Sequence, residues 1–257
     1  MIINKNKLFE KYIGDQKFFD DEVKNRQINF LALHHTQANS VNEAIDFYKQ
    51  HGVSPHYLID IFGQIFLLVD EQYIAFHAGC SYWRKTEVLN NSSIGIEFLS
   101  RNPYEIGFSK NQIDSGLFLC IELIKKYDIK PYNIVGHSDI AYFSDTKLLG
   151  RKDDPSHLFD WQFLAKNGVG IFHEVDLEKD VELFRFGQRD QKIGHLKQYL
   201  REFGYLVTNF DEIFDEEMIF LVQAFNRRFN PKKFVQNSEI WYLSCDLILQ
   251  DLLKRCY

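Results

Sequence analysis

The sequence of 257 residues predicts an α/β fold, with a central mixed β-sheet flanked by helices and a small three-helix domain after it. Three observations predict this class. Short apolar runs alternate with segments of helical spacing over the first two thirds of the chain, as in sheets covered by helices. Hydrophobic residues make up 45% and charged residues 26% of the chain, which is the balance of a globular protein. The last third carries amphipathic helical patterns.

The first elements follow from local patterns. Residues 28–33 form a short apolar run and predict a buried strand whose carboxyl end leads into polar side chains. Residues 40–51 carry apolar side chains at helical spacing, and Ser40 is suited to the N-cap of that helix. Two apolar runs, 57–60 and 65–69, flank a glycine and are typical of a β-hairpin.

The next elements complete the alternation. Residues 94–98 predict a further strand. The clearest helix begins near Ser109, because Ser109 and Gln112 have the spacing of a capping box and the apolar residues after them follow a helical period. Residues 133–137 return to an apolar run that ends on a histidine. Strands and helices that alternate in this way predict the mixed sheet.

A change in composition divides the chain. Between residues 168 and 190, glycines and a charged run indicate a connector. We predict a first domain over residues 1–175 and a helical domain over residues 176–257. The predicted helices of the second domain cover 190–203, 215–229 and 238–256. No metal-ligating pattern of histidines, cysteines or carboxylates is concentrated there, so we interpret it as an accessory domain.

Charge and apolar patterning bear on partners and location. The net charge is −6 and the basic residues are scattered, which argues against a dedicated nucleic-acid-binding protein. No run of about 18 apolar residues predicts a transmembrane helix. Four cysteines stand far apart, so free thiols are expected. The N-terminus lacks the apolar segment of a secretory signal, which favours the cytoplasm. The periplasm or cell envelope is the alternative if a leader was removed or another export route is used.

Two histidines stand where predicted strands end. At the ends of apolar runs, the side chains of His34 and His137 emerge at the rim of the sheet. A catalytic zinc ion needs about three protein ligands and an open position for water. Two imidazoles and one carboxylate meet that need and leave net positive charge on the metal. A structural histidine satisfied by nearby backbone is the alternative at either position, and spacing alone does not decide between the two.

Six short motifs carry a family resemblance. In chain order they are Leu33-His34-His35-Thr36, Pro55-His56-Tyr57-Leu58-Ile59, Phe76-His77-Ala78-Gly79, Ser93-Ile94-Gly95-Ile96-Glu97, Gly136-His137-Ser138-Asp139-Ile140-Ala141 and Gly150-Arg151-Lys152-Asp153-Asp154-Pro155. This series resembles the AmpD-type N-acetylmuramoyl-L-alanine amidase family, which is related to phage T7 lysozyme and the peptidoglycan recognition proteins. The resemblance covers about residues 28–165. It implies hydrolysis of the amide between N-acetylmuramic acid, or its 1,6-anhydro form, and L-alanine, in peptidoglycan or muropeptides.

The resemblance also implies a site. Zn²⁺ is the implied cofactor, with His34, His137 and Asp154 as its ligands. The phage and recognition-protein branches use cysteine as third ligand, so an aspartate there is similar to the AmpD branch. Glu97 is the implied general base on the zinc-bound water. Lys152 is the implied partner of the oxyanion. A solvated glutamate and a surface lysine are the alternatives for these two.

Four further residues match positions near the family's substrate groove, and we treat them as candidate substrate contacts. They are His35, His56, His77 and Arg151. For His56 and His77, core or hydrogen-bonding roles are equally supported. For Arg151, a solvated side chain is equally supported. Residues 142–149 lengthen the loop between the second and third implied ligands relative to the family.

The C-terminal part has a resemblance of its own. Residues 193–205 and 221–229 resemble a helical peptidoglycan-binding domain. Amidases that combine both parts resemble the AmiD type, which acts on polymer as well as anhydro-muropeptides. A generic helical cap is the alternative. A second class of function is a non-catalytic protein on the same fold that binds peptidoglycan or muropeptide. A zinc peptidase is disfavoured, since the chain has no H-E-x-x-H helix.

Overall fold

A computed structural model describes residues 3–5, 26–142, 152–177 and 179–256. The strands of these residues are, in chain order, β1 (Ile3–Lys5), β2 (Phe30–Gln37), β3 (Tyr57–Ile59), β4 (Ile65–Leu67), β5 (Tyr82–Trp83), β6 (Thr86–Glu87), β7 (Ser93–Ser100), β8 (Ile134–Gly136), β9 (Glu182–Phe184) and β10 (Trp241–Tyr242). Six of them form a central sheet in the order β1-β4-β3-β7-β2-β8.

The helices alternate with these strands. They are α1 (Val41–His51), α2 (Lys110–Tyr127), α3 (His137–Ile140), α4 (Trp161–Lys166), α5 (Gln191–Phe203), α6 (Glu216–Phe229), α7 (Pro231–Asn237) and α8 (Leu243–Arg255). Two 3₁₀ turns, Leu89–Ser92 and Pro131–Asn133, each lead directly into a strand of the central sheet. None of the helices in the described part of the chain is long and apolar enough to cross a membrane.

The central sheet is mixed, as predicted. β2 runs parallel to β7 and β8, whereas β3 and β4 form an antiparallel hairpin. The predicted first strand is too short: β2 continues past residue 33 to Gln37 and pairs with β7 over its whole length. His34 therefore projects from the face of the sheet and not from the end of a strand, because successive side chains of a strand point to opposite faces.

Local capping explains where the two helices of the first part begin. The Ser40 side chain accepts the backbone N–H of Glu43 at the start of α1, as predicted. At α2, Ser109 and Gln112 form the predicted capping box. The Gln112 side chain also donates to the carbonyls of Ile59 and Leu99, so this cap fixes α2 against the sheet.

The two faces of β2 pack against different parts of the chain. Leu31 and Leu33 share a hydrophobic cluster with residues of α2. On the opposite face, Phe30 and Ala32 belong to a cluster that includes residues of α5, α6 and α8. The even-numbered face, which also carries His34, is thus covered by the C-terminal helices at one end and by α1 at the other.

The C-terminal region contains the three predicted helices as α5, α6 and α8. The short helix α7 and the two-stranded sheet of β9 and β10 were not predicted. The predicted boundary at residue 175 falls in an irregular connection between α4 and β9. Because Ala32 and Val135 of the sheet share one cluster with Phe225 of α6, the two predicted domains have a common hydrophobic core.

Candidate active site

Three potential metal ligands meet above the even-numbered face of β2. His34 comes from β2, His137 is the first residue of α3, and Asp154 lies in an irregular segment ahead of α4. Their ligand atoms all lie within 4.8 Å of one another, and all three side chains are buried. Asp154 Oδ2 is 3.1 Å from His34 Nδ1 and 3.1 Å from His137 Nδ1. The structure therefore brings together the three residues that the resemblance implied as zinc ligands.

The second nitrogen of each imidazole is also engaged. His137 Nε2 lies 3.2 Å from the carbonyl oxygen of Ala78, which can only accept a hydrogen bond. His34 Nε2 lies 3.0 Å from His77 Nδ1, and His77 Nε2 lies 3.2 Å from Ser93 Oγ. Ser93 Oγ itself donates to the Leu89 carbonyl, so it accepts the proton of His77. This series of hydrogen bonds places the proton of His34 on its Nε2 and leaves the lone pair of its Nδ1 free.

These contacts test whether the site suits a divalent cation. A neutral imidazole that donates from Nε2 has a bare Nδ1. The carboxylate oxygen of Asp154 then faces two lone pairs at 3.1 Å, an arrangement that a shared cation stabilises. The ligand atoms of a tetrahedral ion with bonds of about 2.0–2.1 Å are about 3.3 Å apart, close to the two distances from Asp154 to the histidines. Burial and the neighbouring His137 lower the pKa of His34 to about 4, which keeps its ring neutral. The residues fit a zinc ion.

Backbone contacts hold Asp154 in place. The N–H of Ser138, next to His137 in α3, donates to the Asp154 carbonyl at 2.7 Å. The same turn of α3 thus supplies one ligand and anchors the loop that supplies another. Removing α3 from its position would move both ligands.

Glu97 lies beside the three ligands. It occupies the register position of His34 on the neighbouring parallel strand β7. Thr36, two residues along β2 and on the same face, donates to Glu97 Oε2 at 3.0 Å, and its hydroxyl lies 2.6 Å from that of Tyr48 on α1. Burial, followed by the charge of Asp154, raises the pKa of Glu97 to about 8. A carboxyl group with a pKa near neutrality is suited to proton transfer.

A cleft lies beside Glu97 and the cluster of candidate metal ligands. It has a volume of about 560 Å³, and Glu97, Lys152 and Asp154 line it together. Lys152 is half-buried there, and its charge lowers the pKa of both Glu97 and His34. Aromatic residues supply much of the remaining wall: Phe47, Tyr48, Phe76 and Tyr104. A larger cavity of about 670 Å³, between the connection after α4 and the C-terminal helices, contains none of the predicted site residues.

The four candidate substrate contacts have different positions. His35 and His77 line the cleft. His35 Nδ1 is buried without a hydrogen-bond partner among the described residues, and its ring stands edge-on to Tyr104, which leaves this nitrogen available to a ligand. Both ring nitrogens of His77 are engaged in hydrogen bonds, one with Ser93 and the other with His34. Arg151 lies outside the described residues.

His56 departs from the prediction. It is fully buried beneath the cleft, where its Nδ1 accepts the N–H of Gly95 and its Nε2 lies 3.1 Å from the Tyr73 carbonyl. The structure therefore gives it a supporting position and not a contact with a bound molecule. Its alternative interpretation, a hydrogen-bonding core residue, matches this environment.

Several residues that shape the site were not predicted. Thr36 holds Glu97, Tyr48 contacts the Thr36 hydroxyl, and Ser93 orients His77. Thr36 and Ser93 belong to the motifs, so the sequence contained a signal for them. Tyr48 occupies an apolar position of α1, and nothing in that pattern distinguishes its hydroxyl from a core aromatic.

Fold and site together define an amidase-type hydrolase. Residues 24–157 match the Amidase_2 family, described as N-acetylmuramoyl-L-alanine amidase. The chain belongs to this family. It is 32% identical over 219 residues to the N-acetylmuramoyl-L-alanine amidase AmiD of Escherichia coli, covering 80% of this chain and 76% of that protein. It is 37% identical over 111 residues to the 1,6-anhydro-N-acetylmuramyl-L-alanine amidase AmpD of Haemophilus influenzae, covering 43% of this chain and 55% of that protein.

A solved structure is similar over nearly the whole chain. It is the complex of E. coli AmiD with anhydro-N-acetylmuramic acid-L-Ala-D-gamma-Glu-L-Lys, with a TM-score of 0.72 and 29% identity. The match covers 92% of each chain. The similarity therefore includes the C-terminal helices as well as the central sheet.

Proposed function

We propose that this chain is a zinc-dependent amidase that hydrolyses the bond between N-acetylmuramic acid, or its 1,6-anhydro form, and L-alanine. The observation that carries the proposal is the position of Glu97: it stands at the register of His34, beside a cluster that fits a divalent cation, in one cleft with Lys152. The family and the complex of AmiD with an anhydro-muramyl tripeptide support the choice of bond.

His34, His137 and Asp154 would hold the zinc ion through two Nδ1 atoms and one carboxylate oxygen. When bound in such a ligand set, zinc supplies a Lewis acid and brings the pKa of a water molecule down to about 7. The bonds of the two imidazoles to His77 and Ala78 keep their lone pairs directed at the ion.

Glu97 moves the proton. It takes a proton from the water that adds to the lactyl carbonyl carbon, and it passes that proton to the nitrogen of L-alanine as the C–N bond breaks. The products are a muramic acid carboxylate and a peptide with a free amino terminus. Thr36 orients the Glu97 carboxylate for both transfers. Lys152 places a positive charge where the carbonyl oxygen becomes negative.

A digest of anhydro-N-acetylmuramyl tripeptide by the full chain, together with zinc titration, tests this function. We expect one zinc ion per chain and release of a tripeptide that begins with L-alanine. The Glu97→Gln variant should keep zinc and lose activity by about 10²–10⁴-fold. Glu122→Gln, an exposed change on α2, is the matched control and should be fully active. Zinc and muropeptide binding without product would overturn the proposal in favour of a non-catalytic binding protein.

A further inference from the structure

A buried ion pair connects the C-terminal helices to the turn that carries His137. Arg228 of α6 donates from Nη1 to Asp139 Oδ2 at 2.6 Å, and both side chains are almost completely buried. Asp139 is the third residue of α3, two positions after His137. The two partners are 89 residues apart in sequence, so this contact forms only when the C-terminal region folds onto the sheet.

The contacts of Asp139 fix the turn between β8 and α3. Its Oδ2 also accepts the N–H of Gly136 at 2.8 Å, which caps the helix, and its Oδ1 accepts the hydroxyl proton of Tyr205 at 3.1 Å. Tyr205, like Arg228, belongs to the C-terminal region. Two of the three donors to this carboxylate therefore come from outside the first predicted domain.

Arg228 reaches the same turn a second time. Its Nη2 donates to the carbonyl of Ile134, the first residue of β8, at 2.8 Å. Its guanidinium lies 4.3 Å from the ring centroid of Trp161, which closes the other side. A planar guanidinium that spans a strand carbonyl and a carboxylate five residues later sets the angle between β8 and α3, as a single ammonium group does not.

The turn in question positions two of the three candidate ligands. His137 projects its Nδ1 toward Asp154 from the first position of α3, and the next residue, Ser138, holds the Asp154 backbone. A shift of α3 would thus displace His137 directly, and it would displace Asp154 through the hydrogen bond from Ser138 to its backbone carbonyl. Residues behind metal ligands commonly change metal affinity by about 10–100-fold when they are replaced.

We propose that Arg228, assisted by Tyr205, is a positioning residue for the metal site: through Asp139 it holds α3 where His137 and Asp154 reach the ion. This inference rests on the proposed zinc site. It makes the C-terminal helical region part of the framework of the catalytic site, in addition to any role it has in contacting the cell wall. Arg228 does not line the cleft, so it acts through other residues and not on the substrate.

A second buried cation of the same region supplies a matched control. Lys197 of α5 is fully buried, and its Nζ donates to Asp211, Asp215 and Asn209. Removing this charge also breaks a buried ion pair of the C-terminal region, but the partners lie between residues 209 and 215 and not on α3. Lys197→Met therefore reports what general destabilisation alone does to the metal site.

The experiment is a zinc titration of the full chain against a chelator, well below the unfolding temperature, with thermal unfolding measured in parallel. We expect Arg228→Met to weaken zinc binding by about 10–100-fold and Tyr205→Phe, which removes one hydroxyl, by a smaller factor. Arg228→Lys should fall between Arg228→Met and the original chain. Lys197→Met should bind zinc as the original chain does. With cobalt in place of zinc, the visible absorption bands should change in Arg228→Met and stay unchanged in Lys197→Met.

Each other outcome has a defined meaning. Unaltered zinc affinity in a folded Arg228→Met chain would overturn the inference, and so would an equal loss in Lys197→Met. If Arg228→Met does not fold, Arg228→Lys and Tyr205→Phe decide, since both keep most of the packing. An original chain that binds no zinc would instead refute the proposed function.

Discussion

Gly95 lies directly beneath the ring of His77. A Cβ atom at Gly95 would stand 2.3 Å from His77 Cγ and 2.5 Å from His77 Cδ2, far inside contact distance. The absence of a side chain on β7 at this point lets His77 lie flat enough to join Ser93 to His34. The glycine between the two isoleucines before Glu97 is therefore part of the metal site, through a histidine that it allows to approach.

Gly95→Ala is expected to displace the His77 ring from its position against β7. Overpacking in a core lowers the free energy of unfolding by about 1–3 kcal/mol. Loss of the hydrogen bond between His77 and His34 should also weaken zinc binding. Urea unfolding and zinc titration measure the two effects. Gly194→Ala is the control: it lies in α5, its Cβ would meet atoms no nearer than 3.4 Å, and it should be neutral or stabilising. A Gly95→Ala chain as stable as the original would contradict the steric argument.

Lys152→Met tests the charge in the cleft. We expect kcat to fall by about 10²–10³-fold, the usual cost of removing a group that stabilises an oxyanion. Zinc affinity should be kept or should rise. The positive charge of Lys152 acts on His34 and Glu97, so it disfavours a zinc ion beside them, and its removal relieves that repulsion. Steady-state kinetics on an anhydro-muramyl peptide and a zinc titration give both quantities. Lys130→Met, an exposed lysine that pairs with Asp128, should change neither. A higher KM with an unchanged kcat would instead assign Lys152 to binding of the substrate in its ground state.

The two helix caps give a graded stability prediction. Ser109→Ala removes the acceptor for the Gln112 N–H and also a 2.7 Å hydrogen bond to the Ile61 carbonyl. Ser40→Ala removes only the acceptor for the Glu43 N–H. Caps contribute about 1 kcal/mol each, so Ser40→Ala should cost about that and Ser109→Ala about twice as much. Urea unfolding of the two variants measures the order, and the reverse order would contradict it.

Local signals in the sequence were sufficient for many elements and for part of the site. The hairpin, the capping box at Ser109 and the three long C-terminal helices follow from patterns that each span fewer than about 20 residues. The motifs mark residues that the fold does bring together: His34, His137 and Asp154 form one cluster, and Glu97 lines the cleft beside it. The length of β2 was missed because polar His34 and Thr36 looked like the end of a strand. On the face of the sheet, His34 instead joins the buried ligand cluster and Thr36 lines the cleft.

The remaining features depend on contacts between distant residues. The ion pair of Arg228 and Asp139 joins two helices 89 residues apart, and neither residue interrupts the periodic pattern around it. A histidine on the cleft and one beneath it, such as His77 and His56, also have the same appearance in a motif. What separates them is the set of neighbouring donors and acceptors, which only the folded chain defines.

His56 should make the metal-free protein sensitive to acid. Burial, followed by the charge of Arg26, lowers the pKa of His56 from 6.5 to about 3. The unfolded chain therefore binds more protons than the folded chain between these values. The stabilisation is complete above pH 6.5 and is lost as pH falls toward 3, by up to about 1.4 kcal/mol per pH unit. His34 and His77, whose pKa values are also lowered, add to the slope in any variant that retains them. In urea unfolding from pH 7.5 to 4.5, the curve of His56→Gln should be flatter than that of the original chain by about one proton. Parallel curves would mean that His56 does not carry this linkage.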